Sequence, residues 1–114
     1  MGVKLDAYTI VLLRRPPGAP DLPEEELDRL QAEHLEFNAR MRAEGHALLT
    51  GPFNGQPDQS WRGLNVFRTS VEETRRLMES DASVRAGRLA VDVFTWYVPE
   101  GLLGDRPVAQ IEVE

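Results

Sequence analysis

Two hydrophobic periods alternate along this chain. Asp6 to Arg14, DAYTIVLLR, is rich in branched and aromatic residues and predicts a strand, with Ala7, Val11 and Leu13 on one face and Tyr8, Ile10 and Leu12 on the other. From Leu27 the spacing changes. Leu27, Leu30, His34, Phe37 and Met41 recur three and four positions apart, the stripe of a helix that packs on a core, while Asp28, Arg29, Gln31, Glu33, Glu36, Arg40, Arg42 and Glu44 form its wet side. The intervening RPPGAPDLP has four prolines in nine residues and must be a stiff loop. Asp21 with Glu24 fits a capping box that opens the helix, Pro23 is tolerated in its first turn, and Gly45 ends it.

The remaining elements follow by the same reasoning. His46 to Thr50 predicts a short strand, GPFNGQPDQSW a connecting loop, and Gly63 to Arg68 another strand. Ser70 and Glu73 form a second capping box, opening a helix through about Glu79 with Val71, Thr74, Leu77 and Met78 on one side. Ser80 to Gly87 reads as a polar turn. Arg88 to Val98 predicts a strand that is again apolar on both faces, Leu89, Val91, Val93 and Tyr97 against Ala90, Phe94 and Trp96. The last stretch, PEGLLGDRPVAQIEVE, mixes breakers with a short strand near Val108 to Val113 and is expected to pack on a neighbour.

Strand, helix, strand, strand, helix, strand is the order of an α+β two-layer sandwich, a four-stranded antiparallel sheet with both helices on one face. Its other face is then bare, although the first and last strands carry large apolar residues on both sides. A second copy of the chain is expected to close it, making a homodimer.

Composition narrows the function. A chain of 114 residues is expected to form one domain. It has no cysteine, which removes thiolate chemistry and fits a reducing compartment. MGVKLDAY carries no basic-then-apolar leader, and the longest apolar run, about YTIVLL, is far short of a membrane span. A cytoplasmic protein with no membrane partner is expected. The net charge of −6, with its 13 bases scattered, argues against nucleic acid. Two histidines without cysteine make a poor metal set, and no dinucleotide, phosphate-loop or nucleophile-elbow motif is present, so neither cofactor nor metal is expected. His34 as a lone axial haem ligand stays open.

His34 is the residue that asks for an explanation, because an imidazole on an apolar stripe is either pinned by one partner or titrates to some purpose. Asp92, mid-strand beside Ala90, Phe94 and Trp96, pairs with an arginine or with His34, or reaches water at a sheet edge. Arg14 and Arg15 either grip an anionic substrate or are solvated rim charges. Trp61, in the expected loop, closes a pocket or lies across a dimer seam. Trp96 and Phe94 are core or pocket wall, and His46 is a surface residue.

Several short motifs resemble the YciI-like (YCII-related domain) family of the dimeric α+β barrel superfamily. They are an early strand, His34-Leu35 in a helix ending at Gly45, the Gly51-Pro52 step, and Ser80-Asp81 after the second helix, spanning about Tyr8 to Pro99. The resemblance implies a ferredoxin-like fold over residues 1–99, with residues 100–114 as a C-terminal extension. It also implies that His34 and Asp81 form an acid–base pair at a pocket. Ala82 stands where the family usually has proline, and for Asp81 the residues alone also allow a simple capping role.

The resulting expectation is a cofactor-independent lyase or isomerase of small molecules. His34 removes a proton, Asp81 stabilises the imidazolium, and Arg14, Phe37, Trp61, Phe94 and Trp96 hold the substrate. The rival readings are a dimer that binds a small molecule without reacting, and an accessory subunit whose tail docks elsewhere.

Overall fold

The computed structural model describes residues 2–114. Its elements are strand β1 (Val3–Arg14), helix α1 (Glu24–Ala43), strands β2 (Ala47–Pro52) and β3 (Trp61–Phe67), helix α2 (Val71–Met78), a one-turn helix α3 (Ala82–Arg85), and strands β4 (Ala90–Pro99) and β5 (Ala109–Val113). The sheet is antiparallel in the order β2-β3-β1-β4, with both long helices on one face, so the chain has the ferredoxin-like α+β sandwich that its pattern predicts.

The double apolar character of β1 now has a reason on each side. Val11 and Leu13 lie beneath α1 and α2 in a core with Phe37, Met41, Phe67, Met78 and Val93. Tyr8 and Ile10 point the other way, into a smaller cluster with Val66 and Val98. Part of that second cluster is covered by the chain itself. Leu103 packs on it, and β5 pairs with the first half of β1, from Val3↔Val113 to Ala7↔Ala109. The tail expected to pack on a neighbour therefore adds a strand to its own sheet. Further along this face Leu49, Phe94 and Trp96 remain 53%, 48% and 44% exposed.

Local signals succeeded where a polar side chain meets a helix end. Ser70 Oγ accepts from the Glu73 amide at 3.1 Å, closing the expected cap, and Gly45 ends α1 with φ of 80°. The first expected capping box does not form. Pro23 occupies the cap position of α1 without a side-chain hydrogen bond, and Glu24, Glu25 and Glu26 in the first turn answer the helix dipole instead. Among the described residues no helix is long and apolar enough to cross a membrane.

Candidate functional site

His34 sits midway along α1, on the stripe that meets the sheet, and its side chain is 12% exposed. Its Nδ1 lies 2.6 Å from Oδ2 of Asp81, which is fully buried. The other carboxylate oxygen accepts from the Ser83 amide at 2.9 Å, so Asp81 caps α3 and orients the histidine at the same time. The expected polar turn is thus a one-turn helix that fixes the carboxylate. Ala82 occupies its first helical position, where proline is also accommodated, so the Ser-Asp-Ala step preserves the cap.

In a neutral ring, a carboxylate at Asp81 accepts from Nδ1–H, the tautomer that leaves the lone pair on Nε2. The nearest neutral donor is Asn38, one turn along α1, whose Nδ2 is 3.4 Å from Nε2. Asp92 plays no part in this contact. It receives a two-pronged ion pair from Arg14, Nε to Oδ2 at 2.6 Å and Nη2 to Oδ1 at 3.1 Å, on the opposite face of the sheet. That pairing holds the Arg14 guanidinium above its ordinary range.

Two clefts meet at His34, with Leu13, Gln31 and Pro52 as shared walls. The first, about 340 Å³, is lined by Arg15, Arg62 and Arg88 together with Asp28, Ser83 and Leu89. Burial, then the neighbouring charges of Arg88 and Arg62, pushes Arg15 down from its usual value. The second, about 310 Å³, is lined by Asn38, Asn65, Arg42, Thr50, Gly51 and Gly63. Asn65 is fully buried, and among the described residues neither its Nδ2 nor its Oδ1 has a partner, nor has Asn38 Oδ1. Buried amides are rarely left so, since the desolvation cost is of order 1–3 kcal/mol for each such group. Gly63 lines this cleft and lets β2 and β3 approach there, because a Cβ would stand 2.7 Å from the Gly51 carbonyl oxygen.

The expected substrate contacts are distributed otherwise. Arg14, Phe37, Trp61, Phe94 and Trp96 line neither cleft. Phe37 is core, buried on the same helix stripe. Trp61 begins β3 instead of lying in a loop, and Phe94 and Trp96 share the open face with Arg14 by strand parity. His46 lies beside Glu44 at 3.8 Å, away from the site. Sequence reasoning missed Asn65, Asn38, Arg62 and Arg88. Asn65 carried a signal, since it is the one polar residue between Gly63 and Phe67 on the buried side of its strand. Arg62 and Arg88 carried none, because only the folded topology brings them near His34.

The class of architecture is an α+β sandwich with its clefts at one end of the sheet, between α1 and the strand ends. No protein-family model matches the chain, and no curated protein does. Among solved structures it is similar to 5-chloro-2-hydroxyhydroquinone dehydrochlorinase (TftG) from Burkholderia phenoliruptrix AC1100, in complex with 2,5-dihydroxybenzoquinone. The TM-score is 0.58 at 19% identity, over 78% of this chain and 92% of that one. At that identity the likeness bears on the fold alone.

Proposed function

We propose that this protein is a small-molecule enzyme in which His34 moves a proton, a lyase or isomerase that works without a cofactor. The observation that carries this reading is the His34–Asp81 contact at the junction of two clefts. The ring is held through Nδ1, the residue lines two clefts each large enough for a modest substrate, and the carboxylate that holds it is fully buried. Nε2 takes a proton from a substrate carbon or hydroxyl, and the electron pair left behind moves into a conjugated carbonyl. The proton is then returned at another atom, or a leaving group departs. Asp81 offsets the charge of the imidazolium, and Asn38 and Asn65 offer amide groups to the substrate oxygen on which negative charge collects.

A dehydrochlorinase built on the same fold is a precedent for the choice of reaction class, although the likeness itself shows only the fold. So do the motifs that resemble the YciI-like family, which extend the reading to a dimeric α+β barrel. The bare apolar face around Leu49, Phe94 and Trp96 then receives a second copy. Residues 1–99 form the catalytic unit and 100–114 an appendage to its sheet, and the cysteine-free chain suits a reducing cytoplasm.

The test is solvent exchange. A panel of hydroxyquinones and enolisable keto acids is incubated with the protein in D2O, and deuterium incorporation or product is followed by NMR. Faster exchange of at least one compound by the wild type, lost in a folded His34→Gln variant, is expected. Equal rates with and without His34 in the folded protein contradict the proposal and leave a binding protein.

A further inference from the structure

We propose that the cleft walled by Arg15, Arg62 and Arg88 holds the oxyanion of a small organic acid, a carboxylate or phosphate, with the rest of the molecule extending past His34. The proposal rests on the reading of His34 as the proton carrier for its chemistry, though not for the binding itself.

Three guanidinium groups converge on this one cleft in a chain whose net charge is −6 and whose bases are otherwise dispersed. Such convergence is unfavourable without a counter-ion. Among the described residues none of the three cleft arginines has an acidic partner within ion-pair distance, unlike Arg14, Arg29, Arg40 and Arg76. Arg42, Arg68, Arg75, Arg85 and Arg106 are unpaired too, but none of them lines this cleft, so it is the gathering of three in one place that distinguishes it.

Their hydrogen bonds hold the side chains in place and leave most donors unused. Arg15 Nε donates to the Arg88 carbonyl at 3.0 Å, Arg88 Nη1 to the Pro20 carbonyl at 2.9 Å, and Arg62 Nη1 to the Gln59 carbonyl at 3.3 Å. A guanidinium has five N–H donors in a fixed fork, and each of these spends one. Among the described residues Asp28 is the one carboxylate in the wall, on the exposed side of α1, and it forms no ion pair with any of them.

The charge has a chemical use at this place. A C–H bond next to a carboxylate is hard to ionise, because the new negative charge is created beside an existing one. Fixed cations at the carboxylate lower that penalty and are preorganised for it. His34 lies on the wall shared with the second cleft, so an acid anchored on the arginines presents its neighbouring atoms to Nε2 and its far end to Asn38 and Asn65.

Benzoate, phenyl phosphate and the neutral isostere benzamide, titrated into the full-length protein at low salt with NMR detection, provide the test. At least one anion should saturate the site, shifting the Arg15, Arg62 and Arg88 side-chain signals, with benzamide about 10-fold weaker or more. The preference between the two anions tells carboxylate from phosphate. Arg62→Gln, at an exposed position, and Arg88→Gln should each weaken the preferred anion about 10-fold. Arg14→Gln, on the far face, should leave it unchanged. His34→Gln should retain anion binding whether or not it retains exchange activity, which separates this proposal from the reading of His34. Benzamide binding as tightly as both anions, neither anion saturating, or an anion affinity indifferent to both Arg62→Gln and Arg88→Gln would overturn it.

Discussion

His34 Nδ1 and Asp81 Oδ2 lie 2.6 Å apart although 47 positions separate them in the chain. The helix stripe turns the ring toward the sheet, and the cap of α3 turns the carboxylate toward the ring. Neither element needs the other for its own local structure, so the contact is a product of the tertiary fold.

Replacing Asp81 by asparagine separates the two tasks of that residue. Asparagine still accepts from the Ser83 amide, so thermal unfolding should change by no more than about 1 kcal/mol relative to the wild type. Proton transfer should fall by about 10²-fold or more, because the amide cannot offset an imidazolium. Asp81→Ala should lose the same activity and a further cap contribution of about 1 kcal/mol.

Asn65→Leu should make the protein less active at no cost in stability. Among the described residues neither amide atom of Asn65 has a hydrogen-bond partner, so an apolar side chain of similar volume breaks no protein contact and should leave stability unchanged or raise it by up to about 1–3 kcal/mol. Chemical denaturation would show the unchanged or raised stability, and the exchange assay the loss of activity. A stability loss larger than a repacking cost would mean that the amide supports the fold.

Gly63→Ala should be costly out of proportion to its size. The added methyl would meet the backbone oxygen of Gly51 at 2.7 Å, so β2 and β3 must separate. A destabilisation of about 1–3 kcal/mol is expected, together with narrowing of the amide-lined cleft, measurable as a lower melting temperature and weaker ligand binding.

Tyr8 should make stability fall in alkali. Burial, followed by the charges of Asp6 and Asp105, raises its phenol above the ordinary value of 10.0, with Arg68 acting in the opposite sense. The folded state therefore binds the proton more tightly than the unfolded chain. Its contribution is complete below the unfolded value and is lost as pH rises through the folded one. Tyr8→Phe should abolish this loss, as seen in unfolding curves taken on either side of pH 10. At neutral pH it should cost nothing, since the buried hydroxyl has no partner.

Assembly is tested at the open face. Sedimentation should give a dimer for the wild type and a monomer for Phe94→Asp, whose site is half-exposed beside Trp96. A wild-type monomer would contradict the second copy.

Most of the fold was legible because its determinants are periodic. The alternation of β1, the stripe of α1, the Ser70 cap and the stop at Gly45 each report a local physical requirement. What failed was relational. Both faces of β1 are apolar, so parity could divide Arg14 from Arg15 without revealing which side the helices cover. The fold gives Arg14 to Asp92 and Arg15 to the cleft. The choice between Asp81 and Asp92 was open for the same reason, and so was the path of the tail, whose pairing with β1 depends on a free stretch of edge beyond β3.

The central claim is that Asp81 holds the proton of His34 at Nδ1 and leaves the lone pair on Nε2, beside Asn38. Long-range proton–nitrogen NMR of the histidine rings, at a pH where they are neutral, tests this directly. The account predicts that His34 carries its proton on Nδ1 in the wild type and that this preference weakens in Asp81→Asn. A wild-type ring protonated on Nε2, or a tautomer indifferent to Asp81→Asn, would contradict it.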